Sequence, residues 1–127
     1  MNIALAVALY LIPLTENWTG KDGDGGRSFG PYQISQGCID DVNSWTHIGY
    51  TKEDCYNPVM ARRIVLLYLR HYGEKLSDSP TVEDYCRIHN GGPDGWSEGC
   101  TTAYWKKCQD HLQVVIKSGK HEFYRET

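Results

Sequence analysis

The stretch Gly20–Ile34, G-K-D-G-D-G-G-R-S-F-G-P-Y-Q-I, constrains the fold more than any other. It holds five glycines and two aspartates, and Glu16 stands four residues ahead of it. Glycine at this density lets a backbone take positive φ, turn tightly and approach a ligand closely. Phe29, Tyr32 and Ile34 then predict a short, partly buried strand or extended segment.

Ahead of this stretch, the apolar run Asn2–Leu14 is too short to span a membrane. It lacks the positive n-region and small-x-small site of a signal peptide. The expectation is a buried first helix ended by Pro13. The alternative, a cleaved leader, would leave Glu16 at the very start of the mature chain.

Beyond the stretch the chain reads as helical. Ile39, Val42 and Trp45 predict a short helix over Cys38–Trp45, and Thr51-x-x-Asp54 a capping turn. Asn57-Pro58 opens the clearest helix, with Asn as N-cap and Pro at the first position. Met60, Ile64 and Leu67 lie on its broad apolar face, and Gly73 is expected to end it. Thr81-x-x-Asp84 opens another, with Val82, Tyr85 and Ile88 inward, stopped by Asn90-Gly91-Gly92-Pro93. Thr101 or Thr102 caps a last helix carrying Tyr104, Cys108, Leu112 and Val115 on one side. Gly119 lies beyond it, and the charged tail from Lys120 is expected to fray. The fold class is α+β, mostly helical, with one small extended region. A length of 127 residues suits a single domain over 1–127 with one core.

A net charge of −3 and a pI near 5.9, with no Lys/Arg stripe, argue against nucleic-acid binding. The five cysteines, Cys38, Cys55, Cys86, Cys100 and Cys108, include no C-x-x-C pair, so a zinc or thioredoxin-like site has little support. An odd count allows two bridges at most. Secretion with disulfides and a buried, reduced set both remain open. No metal, cofactor or membrane partner is expected, and the chain is expected to be a monomer.

A glutamate followed by an aspartate in a glycine-rich turn suits paired-carboxylate chemistry, one group protonated and the other ionised. Glu16 is the sole acidic residue ahead of the stretch, and Asp24 and Asp22 are the candidates for its partner. The ordinary alternative is a helix-end charge and a turn aspartate. Asn17-Trp18-Thr19 is a glycosylation sequon, and a glycan there would obstruct a cleft beside Glu16.

Three segments carry a resemblance: G-R-S-F-G-P-Y-Q-I (26–34), E-D-Y-C-R-I-H-N-G-G-P-D-G (83–95) and Y-W-K-K (104–107). In order and spacing they resemble the invertebrate-type, or destabilase-like, lysozymes, over roughly residues 24 to 110. The resemblance implies a lysozyme-like fold and cleavage of the β-1,4 bond between N-acetylmuramic acid and N-acetylglucosamine in peptidoglycan, with secretion and a bacteriolytic, antimicrobial role. The family's acid lies at the end of its first helix and its aspartate just before the S-x-G-P-Y-Q-I segment. This implies Glu16 as general acid and Asp24, closer to the matched motif than Asp22, as nucleophile or stabiliser. An ungapped fit, however, puts Pro13 near the acid's place, and the family's many N-terminal cysteines are missing. Tyr32, Gln33, His89, Asn90, Tyr104 and Trp105 are the implied sugar contacts. Packing in the core is the alternative for Tyr104 and Trp105. Some members are also credited with isopeptidase activity, for which Ser28 and His89 would be the pair. An inactive peptidoglycan-binding module on the same fold is a further alternative.

Overall fold

The computed structural model describes residues 1–118. Five α-helices and one antiparallel strand pair follow in order: α1 (Ile3–Glu16), β1 (Ser28–Phe29), β2 (Ile34–Ser35), α2 (Gln36–Thr46), α3 (Pro58–Leu76), α4 (Val82–Gly91) and α5 (Thr102–Lys117). Short 3-10 turns cover Lys52–Tyr56, Gly95–Ser97 and Gly99–Thr101. Gly119 and the tail from Lys120 lie outside the described residues. Among the described residues no helix is long and apolar enough to cross a membrane.

The chain divides into two compact units, Glu16–Tyr68 and Met1–Thr15 together with the chain from Leu69 onward. In the first, β1 and β2 form a hairpin with Ser28 opposite Ser35 and Phe29 opposite Ile34. Ser35 caps α2, its hydroxyl accepting from the Cys38 amide at 3.2 Å. His47 then leaves the helix with φ 58°. The Asn43 side chain pins the next turn, accepting from the amides of Gly49 (3.1 Å) and Tyr50 (2.8 Å). The Asp54 carboxylate accepts the Thr51 amide at 2.9 Å, as the T-x-x-D spacing predicts. Asn57 accepts from the amides of Val59 (2.9 Å) and Met60 (3.1 Å), and Pro58 opens α3 without a donor to lose. Phe29, Tyr32, Ile34, Ile39, Val42, Tyr50, Ile64 and Val65 are buried in this unit.

In the second unit α1 is apolar almost all round, and Leu5–Leu9, Leu11 and Ile12 are buried. Asn2 caps it, accepting the Leu5 amide at 2.7 Å and donating to the Tyr85 hydroxyl at 3.2 Å. Pro13 does not end this helix, which runs on to Glu16. A proline removes one amide donor from the ladder, and the residues after it still complete a turn. The stop comes from Asn17, which takes the left-handed conformation (φ 48°) that asparagine tolerates at a helix C-terminus.

Gly73 likewise does not end α3, which continues to Leu76. Its role is to let a ring approach, since a Cβ there would lie 2.5 Å from Cε1 of the buried Tyr85. The Thr81–Asp84 capping box forms, with the Asp84 amide on Thr81 Oγ1 (3.1 Å) and the Thr81 amide on Asp84 Oδ2 (2.8 Å). Gly92, φ 85°, closes α4. Thr101 stands at the N-cap position of α5, yet its side chain makes no capping bond. Its buried hydroxyl instead reaches the carbonyls of Gly95 (2.7 Å) and Glu98 (2.8 Å) and accepts from Arg87 Nε (2.8 Å). Arg87 also donates to the Glu98 carbonyl at 2.7 Å and to Glu83 at 2.9 Å. One guanidinium thereby ties both 3-10 turns after α4 back to the helix.

Alanine is the better helix former than glycine by about 1 kcal/mol. At position 73, however, the clash with Tyr85 is expected to dominate, at a cost of about 1–3 kcal/mol. Urea unfolding of Gly73→Ala should therefore show a lowered midpoint. An unchanged or raised midpoint would mean that the Tyr85 ring yields freely.

Candidate active site

The site is built on one short path in the Glu16–Tyr68 unit, from the end of α1 through the glycine loop to the hairpin. Glu16 is the last residue of α1 and is half-buried. Asn17 turns the chain sharply behind it. The loop then closes on Gly23. Its amide donates to the Ser28 carbonyl (3.0 Å) and to Gln33 Oε1 (2.9 Å). Its carbonyl accepts from the amides of Gly26, Arg27 and Ser28 at 3.0–3.1 Å.

That closure sets the two aspartates apart. Asp24, φ 53°, is exposed, and its carboxylate accepts from the buried Ser28 hydroxyl at 2.6 Å. The amides of Gly26, Arg27 and Ser28 converge on the Gly23 carbonyl and not on the Asp24 carboxylate. Asp22 is more enclosed. The Tyr56 hydroxyl reaches its two carboxylate oxygens at 2.8 and 2.7 Å, and Lys52 Nζ stands 3.8 Å away. Lys52 also lies 4.8 Å from the centre of the Phe29 ring, in cation–π contact. The Trp18 ring leans on Tyr56 with centroids 6.0 Å apart.

Tyr56 and Lys52 are the residues that sequence reasoning missed. Both belong to the Lys52–Tyr56 turn, whose capping signal was legible. Nothing in the local pattern, however, points that turn at an aspartate thirty-odd positions earlier.

The other candidates separate as follows. The Gln33 amide is engaged by backbone at both ends, since its Nε2 donates to the Gly30 carbonyl at 2.8 Å. Tyr32 is buried, and its phenol is pushed upward by that burial and partly restored by the charge of Arg62. His89, Asn90, Tyr104 and Trp105 belong to the other unit. There the His89 and Tyr104 rings lie 6.4 Å apart, Asn90 is exposed and Trp105 half-buried. Among the described residues no group of His, Cys, Asp and Glu gathers as a metal site would require.

The bond to Asp22 pushes the Tyr56 phenol up from 10.0 to about 12. A phenol with a raised folded-state value keeps its bond below about pH 10 and loses it as pH rises through about 12. Phenolate absorbance, taken as the difference between the native chain and Tyr56→Phe, should show this late titration. In Asp22→Asn it should move back toward the ordinary tyrosine range. A Tyr56 signal indifferent to Asp22→Asn would refute the clamp.

No family model matches the chain. Among curated proteins it is 33% identical over 89 residues to "Lysozyme 1" of Crassostrea virginica, covering 58% of this chain and 48% of that protein. It is 33% identical over 88 residues to a lysozyme of Magallana gigas, covering 56% and 64%. The chain thus spans about half to two thirds of the length of these relatives. Among solved structures, a chain in the crystal structure of Aeromonas hydrophila PliI in complex with Meretrix lusoria lysozyme aligns with a TM-score of 0.67 and 27% identity. That match covers 82% of this chain and 87% of the other. Among the described residues the mostly helical α+β architecture with its small hairpin is therefore lysozyme-like, and in sequence the chain is similar to bivalve proteins named lysozyme.

Proposed function

We propose that the chain is a lysozyme-type glycoside hydrolase, cleaving the β-1,4 bond between N-acetylmuramic acid and N-acetylglucosamine in peptidoglycan. The observation that carries this reading is the path from α1 into the loop. A half-buried glutamate ends the helix, and within eight residues a closed glycine loop presents two aspartates. The relatives named lysozyme support it.

In this mechanism Glu16 protonates the glycosidic oxygen as the bond to the anomeric carbon breaks. Asp24, ionised, attacks that carbon or stabilises its positive charge. Water then completes hydrolysis, giving up its proton to Glu16. Ser28 holds the Asp24 carboxylate in position through its 2.6 Å bond, a role that differs from that of an amide-cleaving nucleophile. The retaining course calls for carboxyl groups about 5–5.5 Å apart. Tyr32, His89, Asn90, Tyr104 and Trp105 are proposed to contact the sugars. A wall substrate also places the working protein outside the cell that makes it.

A second assignment within the same reaction rests on a specific observation. Asp22 is the better-enclosed carboxylate, held by Tyr56 and Lys52. It would replace Asp24 as the charged partner, with Tyr56 fixing its orientation.

Release of reducing ends from purified peptidoglycan tests both points. Glu16→Gln is expected to lower kcat by about 10²–10⁴-fold, the usual worth of a positioned acid. Asp24→Asn should do likewise while Asp22→Asn retains most activity; the reverse order transfers the role to Asp22. Undiminished release by Glu16→Gln would place the acid elsewhere. No release by the folded native chain would overturn the hydrolase reading and favour a binding module.

A further inference from the structure

The five cysteines differ in surroundings. Cys38, Cys55, Cys86 and Cys108 are buried and Cys100 is exposed. Cys100 bonds to Glu98 at 3.2 Å, and the Cys55 thiol points at the Thr51 carbonyl at 3.9 Å. Cys38 and Cys55 lie near enough to interact by charge, whereas Cys86 and Cys108 are hydrogen-bonded to each other. Cys86 lies on α4 and Cys108 on α5, the two helices pack together, and both side chains are wholly shielded from solvent. The Cys86 thiol hydrogen-bonds the Cys108 sulfur, which also accepts from the Thr15 hydroxyl at 3.4 Å. Two cysteines on packed helices whose thiols hydrogen-bond to each other are within reach of a disulfide through side-chain adjustment. Their burial keeps other thiols away.

We propose that Cys86 and Cys108 form a disulfide that staples α4 to α5 when the chain folds in the presence of a disulfide oxidant such as glutathione disulfide. One cysteine thiolate attacks the oxidant and releases one glutathione, leaving a mixed disulfide. The second cysteine thiolate attacks the protein sulfur of that intermediate and releases the other glutathione. Two cysteine protons are lost, one protein S–S bond forms, and the oxidant is reduced to two thiols. The exchange belongs to folding, while the sulfurs still meet solvent. In the folded chain the hydrogen bond to Cys108, together with burial, pushes the Cys86 thiol well up and keeps it protonated and unreactive. The bond would close the segment that carries both 3-10 turns held by Arg87.

The test is to refold the chain in glutathione and glutathione disulfide, alkylate free thiols and map unreduced peptides by mass spectrometry. A Cys86–Cys108 linked peptide is expected. The thermal midpoint should fall by roughly 10 °C when reductant is present during unfolding. That sensitivity should vanish in Cys86→Ala and persist in Cys38→Ala. Alkylated Cys86 and Cys108 in the refolded protein, or either one paired elsewhere, would overturn the proposal. Peptide mapping of the unsubstituted chain decides the matter even where Cys86→Ala does not fold.

Discussion

The side-chain amide of Gln33 ties the acidic loop to the hairpin, and the presentation of both aspartates depends on it. One end accepts the Gly23 amide at 2.9 Å and the other donates to the Gly30 carbonyl at 2.8 Å. Gly30 is required by close approach to backbone, and a side chain at Gly23 would displace the Gln33 amide. A Cβ on Gly23 would lie 2.2 Å from Gln33 Oε1, and one on Gly30, φ 74°, 1.9 Å from the Cys55 carbonyl. The loop is therefore shaped before any ligand arrives, which spares the reaction the entropy of ordering it. Gln33 itself adopts φ 50°, a conformation uncommon for its type and held by these bonds.

With the loop closed, its two carboxylates acquire different surroundings although they are two residues apart. Asp24 faces outward and takes one bond from a buried serine. Asp22 turns toward an aromatic and cationic wall made by Tyr56, Trp18, Lys52 and Phe29. A glycosidase needs carboxyl groups whose environments separate their tasks. The contrast between exposure and clamping is the physical basis for assigning the second role by experiment rather than by position in the motif.

The sequence disclosed the features whose causes are local. The caps at Asn57 and at Thr81–Asp84 and the extended segment after the glycines follow from residues within one turn of each other. Pro13, Gly73 and Thr101 misled because each is governed by something outside its own turn. Pro13 sits in a helix held by core burial on several sides, Gly73 makes room for Tyr85, and Thr101 answers to Arg87. The same limit hid Tyr56 from Asp22 and Cys86 from Cys108. These pairs meet only after distant segments have folded, and no periodicity encodes the meeting. The motif resemblance reached further, because G-P-Y-Q-I and R-I-H-N-G-G-P-D-G bring with them a tertiary arrangement that residue-by-residue reading does not supply.

The most direct test of a two-carboxylate, retaining hydrolase is the anomeric configuration of the sugar end first released from peptidoglycan. Proton NMR during early turnover can read it before mutarotation. The account predicts the β-anomer, the outcome of attack by one carboxylate and replacement by water. First appearance of the α-anomer, or no new reducing end at all, would contradict it.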